Sequence, residues 1–300
     1  MTRLLNANFA RLFKSWLFRI CAGAIFVLAL IEAIVNGVNS RPQWMPLYPE
    51  LTLFNTSGVF LLFTSAVLVG SFVSLEHGGA LRNKIITGQK RSSIFLANTI
   101  TCSAAVAILH LLFLATVLLA GVFGGGEYLL SFGEIALHEL LQLASLIEAG
   151  VIFSAISLFI PHKFSGAVFS LVISLLLFGI NIFLPSLLMS KKYSNMSYFE
   201  NYPMFFVDKT DISEEEQTQI RILEAIQDIT PFGQQTQIQD SFYNAFYHEF
   251  NIILSDHFPE TNIGGYRKIP IPVETALFSL GTAAAATFIG MLVFRKKDII

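Results

Sequence analysis

A chain of 300 residues that is 54% hydrophobic and only 13% charged, with a mean hydropathy of +0.63, carries more apolar surface than water can cover. That excludes an ordinary water-soluble globular domain and predicts an all-α integral membrane protein. The net charge of −2 is close to neutral and by itself argues neither for nor against a charged partner; no nucleic-acid partner is expected, and Cys21 and Cys102 both sit inside apolar runs, away from any CxxC or zinc-ligand spacing.

From Arg3 to Ile20 the residues Leu4, Leu5, Phe9, Leu12, Phe13, Trp16, Leu17 and Ile20 recur at helical spacing, with Arg3, Asn6, Arg11, Lys14 and Ser15 between them. This predicts an N-terminal amphipathic helix lying in a membrane interface. The first span runs from Trp16 or Leu17 to Val35, too long for the centre of a cleavable secretory signal. Glu32 near its outer end can snorkel to the headgroups. In the loop Arg41 to Glu50, Trp44 and Tyr48 read as interfacial anchors, and three prolines argue against a regular helix. The second span covers Leu53 to Val73.

A basic, glycine-punctuated segment from Ser74 to Phe95 follows, with Arg82, Lys84, Lys90 and Arg91 set against Glu76 alone. Membrane loops this rich in cations stay in the cytoplasm. The third span, Thr99 to Phe123, carries His110, which reads as a packing residue, and ends in Gly124-Gly125-Gly126, a flexible break. The fourth, Phe132 to Ile160, places Glu134, His138, Gln142 and Ser145 on one face, with Glu139 and Glu148 to either side. Lipid does not tolerate such a stripe, so it is expected to face a protein partner or an aqueous cavity.

Pro161 and Lys163 form an inner turn, and the fifth span runs from Phe164 to Leu188 with Asn181 and Pro185 near its outer end. Residues 190–272 turn polar, with twelve Asp and Glu against six Lys and Arg, and are expected to form a mainly helical extracytoplasmic insert. Ser213 and Glu216 make a capping-box pattern before Ile220, Leu223 and Ile226, and Pro231 with Gly233 ends that helix. A second helix carries Ile238, Phe242, Phe246, Phe250 and Ile253 as a stripe, expected to pack on the first. The sixth span runs from Val273 to Phe294, and Arg295-Lys296-Lys297 anchors its end. The domain reading is therefore residues 1–189 with spans one to five, the insert at 190–272, and span six with a basic tail at 273–300. Six spans put both termini and every basic cluster in the cytoplasm and the acidic insert outside.

Catalytic patterns are missing. There is no GxxxxGK[ST] phosphate loop, His138-Glu139 lacks the second histidine of HExxH, and GxSxG does not occur, so the chain is not expected to be an enzyme or to bind a cofactor or metal.

The segment Gly79-Ala80-Leu81-Arg82-Asn83-Lys84-Ile85-Ile86, with Gly88 and Arg91, resembles the G-T-[IL]-R-N-K-[IL]-[IL]-x-G-x-x-R segment of ABC-2 type transporter permeases, with Ala80 in place of the usual threonine. The ending Phe294-Arg295-Lys296-Lys297-Asp298-Ile299 is similar to that family's F-x-K-K-D-[IL]. The resemblance implies a cytoplasmic coupling helix between spans two and three that docks on a separate ATP-binding subunit, where ATP and Mg are bound. It also implies pairing with a second permease copy or paralogue, with the second and fifth spans lining the pathway. The function it implies is export of an amphipathic peptide, antibiotic or other hydrophobic compound across a bacterial plasma membrane, with self-protection or antibiotic resistance as its use. Beside it stands a non-transporting membrane scaffold or sensor whose insert binds a ligand. Leu81, Ile85 and Ile86 are expected to form the loop's apolar face, and Arg82, Lys84 and Arg91 to meet carboxylates or phospholipid.

Overall fold

The computed structural model describes residues 1–39, 48–54, 57–160, 165–199, 202–208, 212–257 and 272–296. Among them are eleven α-helices: α1 (Thr2–Lys14), α2 (Trp16–Asn39), α3 (Pro49–Phe54), α4 (Ser57–Ser74), α5 (Ala80–Ile86), α6 (Arg91–Phe123), α7 (Phe132–Phe159), α8 (Ser165–Lys192), α9 (Glu214–Asp228), α10 (Pro231–His257) and α11 (Glu274–Lys296). Six of them, α2, α4, α6, α7, α8 and α11, are long and apolar enough to cross a membrane. The protein is a helical, multi-pass membrane protein.

The amphipathic N-terminal pattern and the first span are two helices. Ser15 takes an extended conformation, ψ 125°, and separates them. Leu4, Asn8 and Leu12, four residues apart, are the buried face of α1 and lie toward α6, while Phe13 and Trp16 stay exposed. The second span starts at Ser57. Leu53 belongs instead to α3, where Pro49 occupies the first helical position, which needs no N–H. Trp44 and the other two prolines of that loop lie outside the described residues, and Tyr48 packs edge-on against Phe246 of α10.

Helix α6 begins eight residues before Thr99 and reaches 33 residues, about 50 Å at 1.5 Å per residue. Such a helix extends beyond a hydrocarbon layer about 30 Å thick. Its far end is not a flexible break. Gly124 N–H donates to Ala120 O (2.8 Å), Gly126 N–H to Gly121 O (2.9 Å), and Gly125 takes φ 66°. Pro49 of α3 rests on this cap, since a Cβ on Gly121 or Gly126 would come within 2.5 or 2.6 Å of the Pro49 ring. Glu50 Oε1 completes the joint by accepting Leu129 N–H at 2.6 Å.

Helix α7 is the centre of the bundle, packing against α4, α6, α8, α10 and α11. Helices α4 and α8 meet closely at Gly70, where a Cβ would lie 2.7 Å from Ala167 Cα. Between α8 and α11 come an antiparallel hairpin, β1 (Tyr193–Phe199) and β2 (Tyr202–Asp208), and then α9 and α10. The hairpin is absent from the helical expectation for this segment. The expected capping box is present, with Ser213 Oγ accepting Glu216 N–H. The apolar stripe of α10 packs chiefly elsewhere than expected. Phe232, Ile238, Phe242, Ala245 and Phe246 join the main core with the spanning helices, while Ile220 of α9 packs on Leu184 and Leu188 of α8. The side chains of Phe250 and Ile253 lie outside the described residues.

Candidate functional site

At the end of the bundle where α1, α5, the start of α6 and the end of α11 meet, α4 closes in a 3-10 turn, Leu75–Gly78. Glu76 in that turn is fully buried. Its Oε1 accepts a hydrogen bond from Lys84 Nζ at 2.6 Å and pairs with Arg11 Nη1 at 2.7 Å, and its Oε2 accepts from Asn98 Nδ2 at 2.7 Å. Asn98 Oδ1 accepts from Asn8 Nδ2 at 2.6 Å, and Asn8 Oδ1 accepts from Lys84 Nζ at 3.0 Å. Glu76, Asn98, Asn8 and Lys84 thus form a closed ring across the turn, α6, α1 and α5. Arg11 seals it, its guanidinium 4.0 Å from the centre of the Phe72 ring.

A buried carboxylate is tolerated only when paired and hydrogen-bonded, and here both oxygens are satisfied by charged or amide donors. The consequence is mechanical. Four separate pieces of chain cannot move independently at this end without exposing an unpaired charge. His77, next in the turn, reaches Ser157 O at 3.2 Å and adds the end of α7.

Helix α5 sits on this ring. Gly79 takes φ 116° to turn the chain into it and Gly88 takes φ 81° after it, both in the left-handed region that favours glycine. Leu81 is buried and Ile85 packs on the core, whereas Arg82, Asn83 and Ile86 are exposed. Ile86 therefore departs from the expected apolar face. Residues 81 and 85 are four apart and share a helix face, while 86 falls on the opposite side and is 71% exposed. Arg82 and Ile86, four apart, share the outward face of α5. Arg91 Nη1 donates to Arg295 O (3.4 Å), and the buried rings of Phe95 and Phe294 lie 6.0 Å apart, so the two sequence segments singled out for their resemblance meet here.

The polar face of α7 has its partners within the chain. Glu134 closes the helix's own capping box with Ser131. His138 Nδ1 lies 2.8 Å from Glu134 O and Nε2 3.3 Å from Ser241 Oγ, with Phe54 and Phe242 edge-on around the ring. Gln142 Nε2 donates to Ser57 Oγ at 3.4 Å, Gln235 Nε2 donates to Gln142 O at 3.2 Å, and Ser145 Oγ donates to Pro231 O at 3.0 Å. A water-sized cleft of about 20 Å³ remains between Gly58, Gln142, Gln235 and Gln239. His110, read as a packing residue, faces Glu139 across α6 and α7 with Nε2 3.0 Å from Oε2.

The sequence reading missed Glu76, Asn8, Asn98 and Arg11 as a unit. One signal was available: Asn8 stands between Leu4 and Leu12 on the apolar side of an amphipathic helix, where a polar residue needs a buried partner. Among the described residues no group of three or more His, Cys, Asp and Glu side chains is placed to hold a metal ion. No protein-family model matches the sequence, and no curated protein matches it.

Proposed function

We propose that this chain is the membrane-spanning permease subunit of an ABC transporter of the ABC-2 type. It exports an amphipathic peptide, antibiotic or other hydrophobic compound, driven by ATP and Mg bound on separate ATP-binding subunits and working as a pair of permeases. The observation that carries this reading is the buried Glu76 ring beneath α5. A short helix with an exposed cationic and apolar face, fixed from below to α1, α4 and α6, suits a surface that receives force and passes it to spanning helices.

In this reading Arg82, Asn83 and Ile86 contact the ATP-binding subunit, while Lys84 and Leu81 hold α5 to the bundle. Movement of α5 reaches α4 through Glu76, then α8 through the tight contact at Gly70. Gly79 and Gly88 are the two joints about which α5 pivots.

The test is co-purification with candidate lone ATP-binding subunits, followed by ATPase activity in lipid. Arg82→Glu should abolish association while leaving thermal stability unchanged, because Arg82 is exposed and makes none of the ring contacts. Gly79→Pro, which cannot adopt φ 116°, should uncouple ATP turnover from the permease. If the intact chain recruits no ATP-binding subunit, or both substitutions leave association and turnover unchanged, the exporter reading fails and the scaffold or sensor reading replaces it.

A further inference from the structure

Glu148 lies about 24 Å along α7 from one end and about 17 Å from the other, well inside a hydrocarbon layer about 30 Å thick. Its side chain is fully buried, and neither carboxylate oxygen has a hydrogen-bond partner among the described residues. Three polar side chains face it, Gln234 from α10 and Ser279 and Thr282 from α11. Glu148 makes no ion pair among the described residues.

The direction of the neighbouring hydrogen bonds decides what state of Glu148 the site suits. Ser279 Oγ donates to Gln234 Oε1 at 2.6 Å, and Thr282 Oγ1 donates to Phe278 O at 2.8 Å. Gln234 Nε2 donates to Asp228 O at 2.7 Å. Both hydroxyl protons thus have acceptors other than Glu148, Thr282 with Ser279 O at 3.2 Å as a second one, and Gln234 has one N–H to spare. An ionised carboxylate offers only acceptors and would meet one donor unless Ser279 or Thr282 gave up its bond to Gln234 or to the α11 backbone. A neutral carboxylic acid fits the set: its O–H has a hydroxyl oxygen to donate to, and its C=O can accept the spare amide N–H. A bare anion there would have neither a paired charge nor contact with the protein surface.

We propose that Glu148 is a proton-binding site of the membrane interior, whose bound proton joins α7 to α10 and α11 and whose release unseats the start of α10. Release converts the carboxylic acid to a carboxylate and a free proton, with no other reactant. The turn it acts on is the one through which α10 enters the bundle, since Ser145 holds Pro231 and Gln235 holds Gln142 on either side of Gln234. Proton occupancy and the position of α10 are thus linked, and this holds whether or not the chain is an exporter.

The experiment uses the full chain in lipid nanodiscs. Infrared difference spectra across a pH series should show the carbonyl stretch of a buried neutral acid in the intact chain and in Glu139→Gln, and lose that component in Glu148→Gln. Amide exchange over residues 231–246, corrected for intrinsic rates, should rise with pH in the intact chain and stay low at every pH in Glu148→Gln, which keeps a neutral group in place. Ser279→Ala with Thr282→Val, removing the acceptors, should shift the frequency of the band. Difference spectra left unchanged by Glu148→Gln, a Glu148 component unmoved by the double variant, or the same exchange curve in both chains would overturn the proposal.

Discussion

Lys84 and Arg82 are two residues apart in one basic segment, yet one is locked to Glu76 and the other points outward. Composition gives them the same role, and the 100° turn per residue separates them. Removing one member of a buried ion pair strands the other, which costs about 3–5 kcal/mol in typical cases. For Glu76→Ala the expected loss is about 3 kcal/mol, the low end, because Arg11 is one-third exposed and can turn to water. Thermal unfolding in detergent checks this, and Arg82→Ala under the same conditions should leave the midpoint where it was. Glu50 gives a second test. Burial pushes its carboxyl above the usual range, against the opposing pull of the Leu129 and Leu130 N–H groups. A raised value means that its contribution to stability is fully present below the unfolded value of about 4.3 and is lost as pH rises through the folded value. Glu50→Gln retains the acceptor for Leu129 N–H and should flatten that loss, measured as the unfolding midpoint from pH 4 upward.

At the scale of elements, hydropathy located the spans to within a few residues at most ends because a bilayer imposes one dominant requirement, about 20 apolar residues in a row. The early start of α6 escaped it because Asn98 and its neighbours lie near the polar ring, where the helix continues without needing lipid-facing residues. The partner of the α7 stripe escaped it for another reason. His138, Gln142 and Ser145 are satisfied by Ser241, Ser57 and Pro231, which are roughly 85 to 103 residues away in sequence, and no local pattern encodes so distant a pairing. Close helix contacts are also invisible until a partner is known. Gly70 looks like a weak point in an apolar helix, but it is where α4 meets Ala167 and Gly166 of α8. Gly70→Ala would set a methyl 2.7 Å from backbone and force the two helices apart. The expected cost is roughly 1–3 kcal/mol. A cysteine pair placed across α4 and α8 should cross-link more slowly in this variant than in its glycine parent.

For the whole molecule, the ring at Glu76 and the joint at Glu50 mark opposite ends of one bundle. The first gathers α1, α5, the start of α6 and the end of α11, and the second gathers α3, the α6–α7 connection and α10. The charges divide unequally: Arg3, Arg11, Lys14, Arg19, Arg82, Lys84, Lys90, Arg91, Arg295 and Lys296 belong to the first end, while Lys191 and Arg221 lie with Glu214, Glu215 and Glu216 of α9 near the other. Short loops rich in Lys and Arg resist translocation, so the Glu76 end is expected to face the cytoplasm. Cys21 and Cys102 are both buried and unpaired, so a cysteine-free background can be made by replacing two residues. In that background, Ile86→Cys should react with a membrane-impermeant thiol reagent only after cells are opened, because residue 86 is exposed on α5. Glu215→Cys, exposed on the first turn of α9, should react in intact cells. The reverse labelling would invert the molecule in the membrane and take α5 away from any cytoplasmic ATP-binding subunit. Labelling of both positions in intact cells would require an odd number of crossings between α5 and α9 to be wrong.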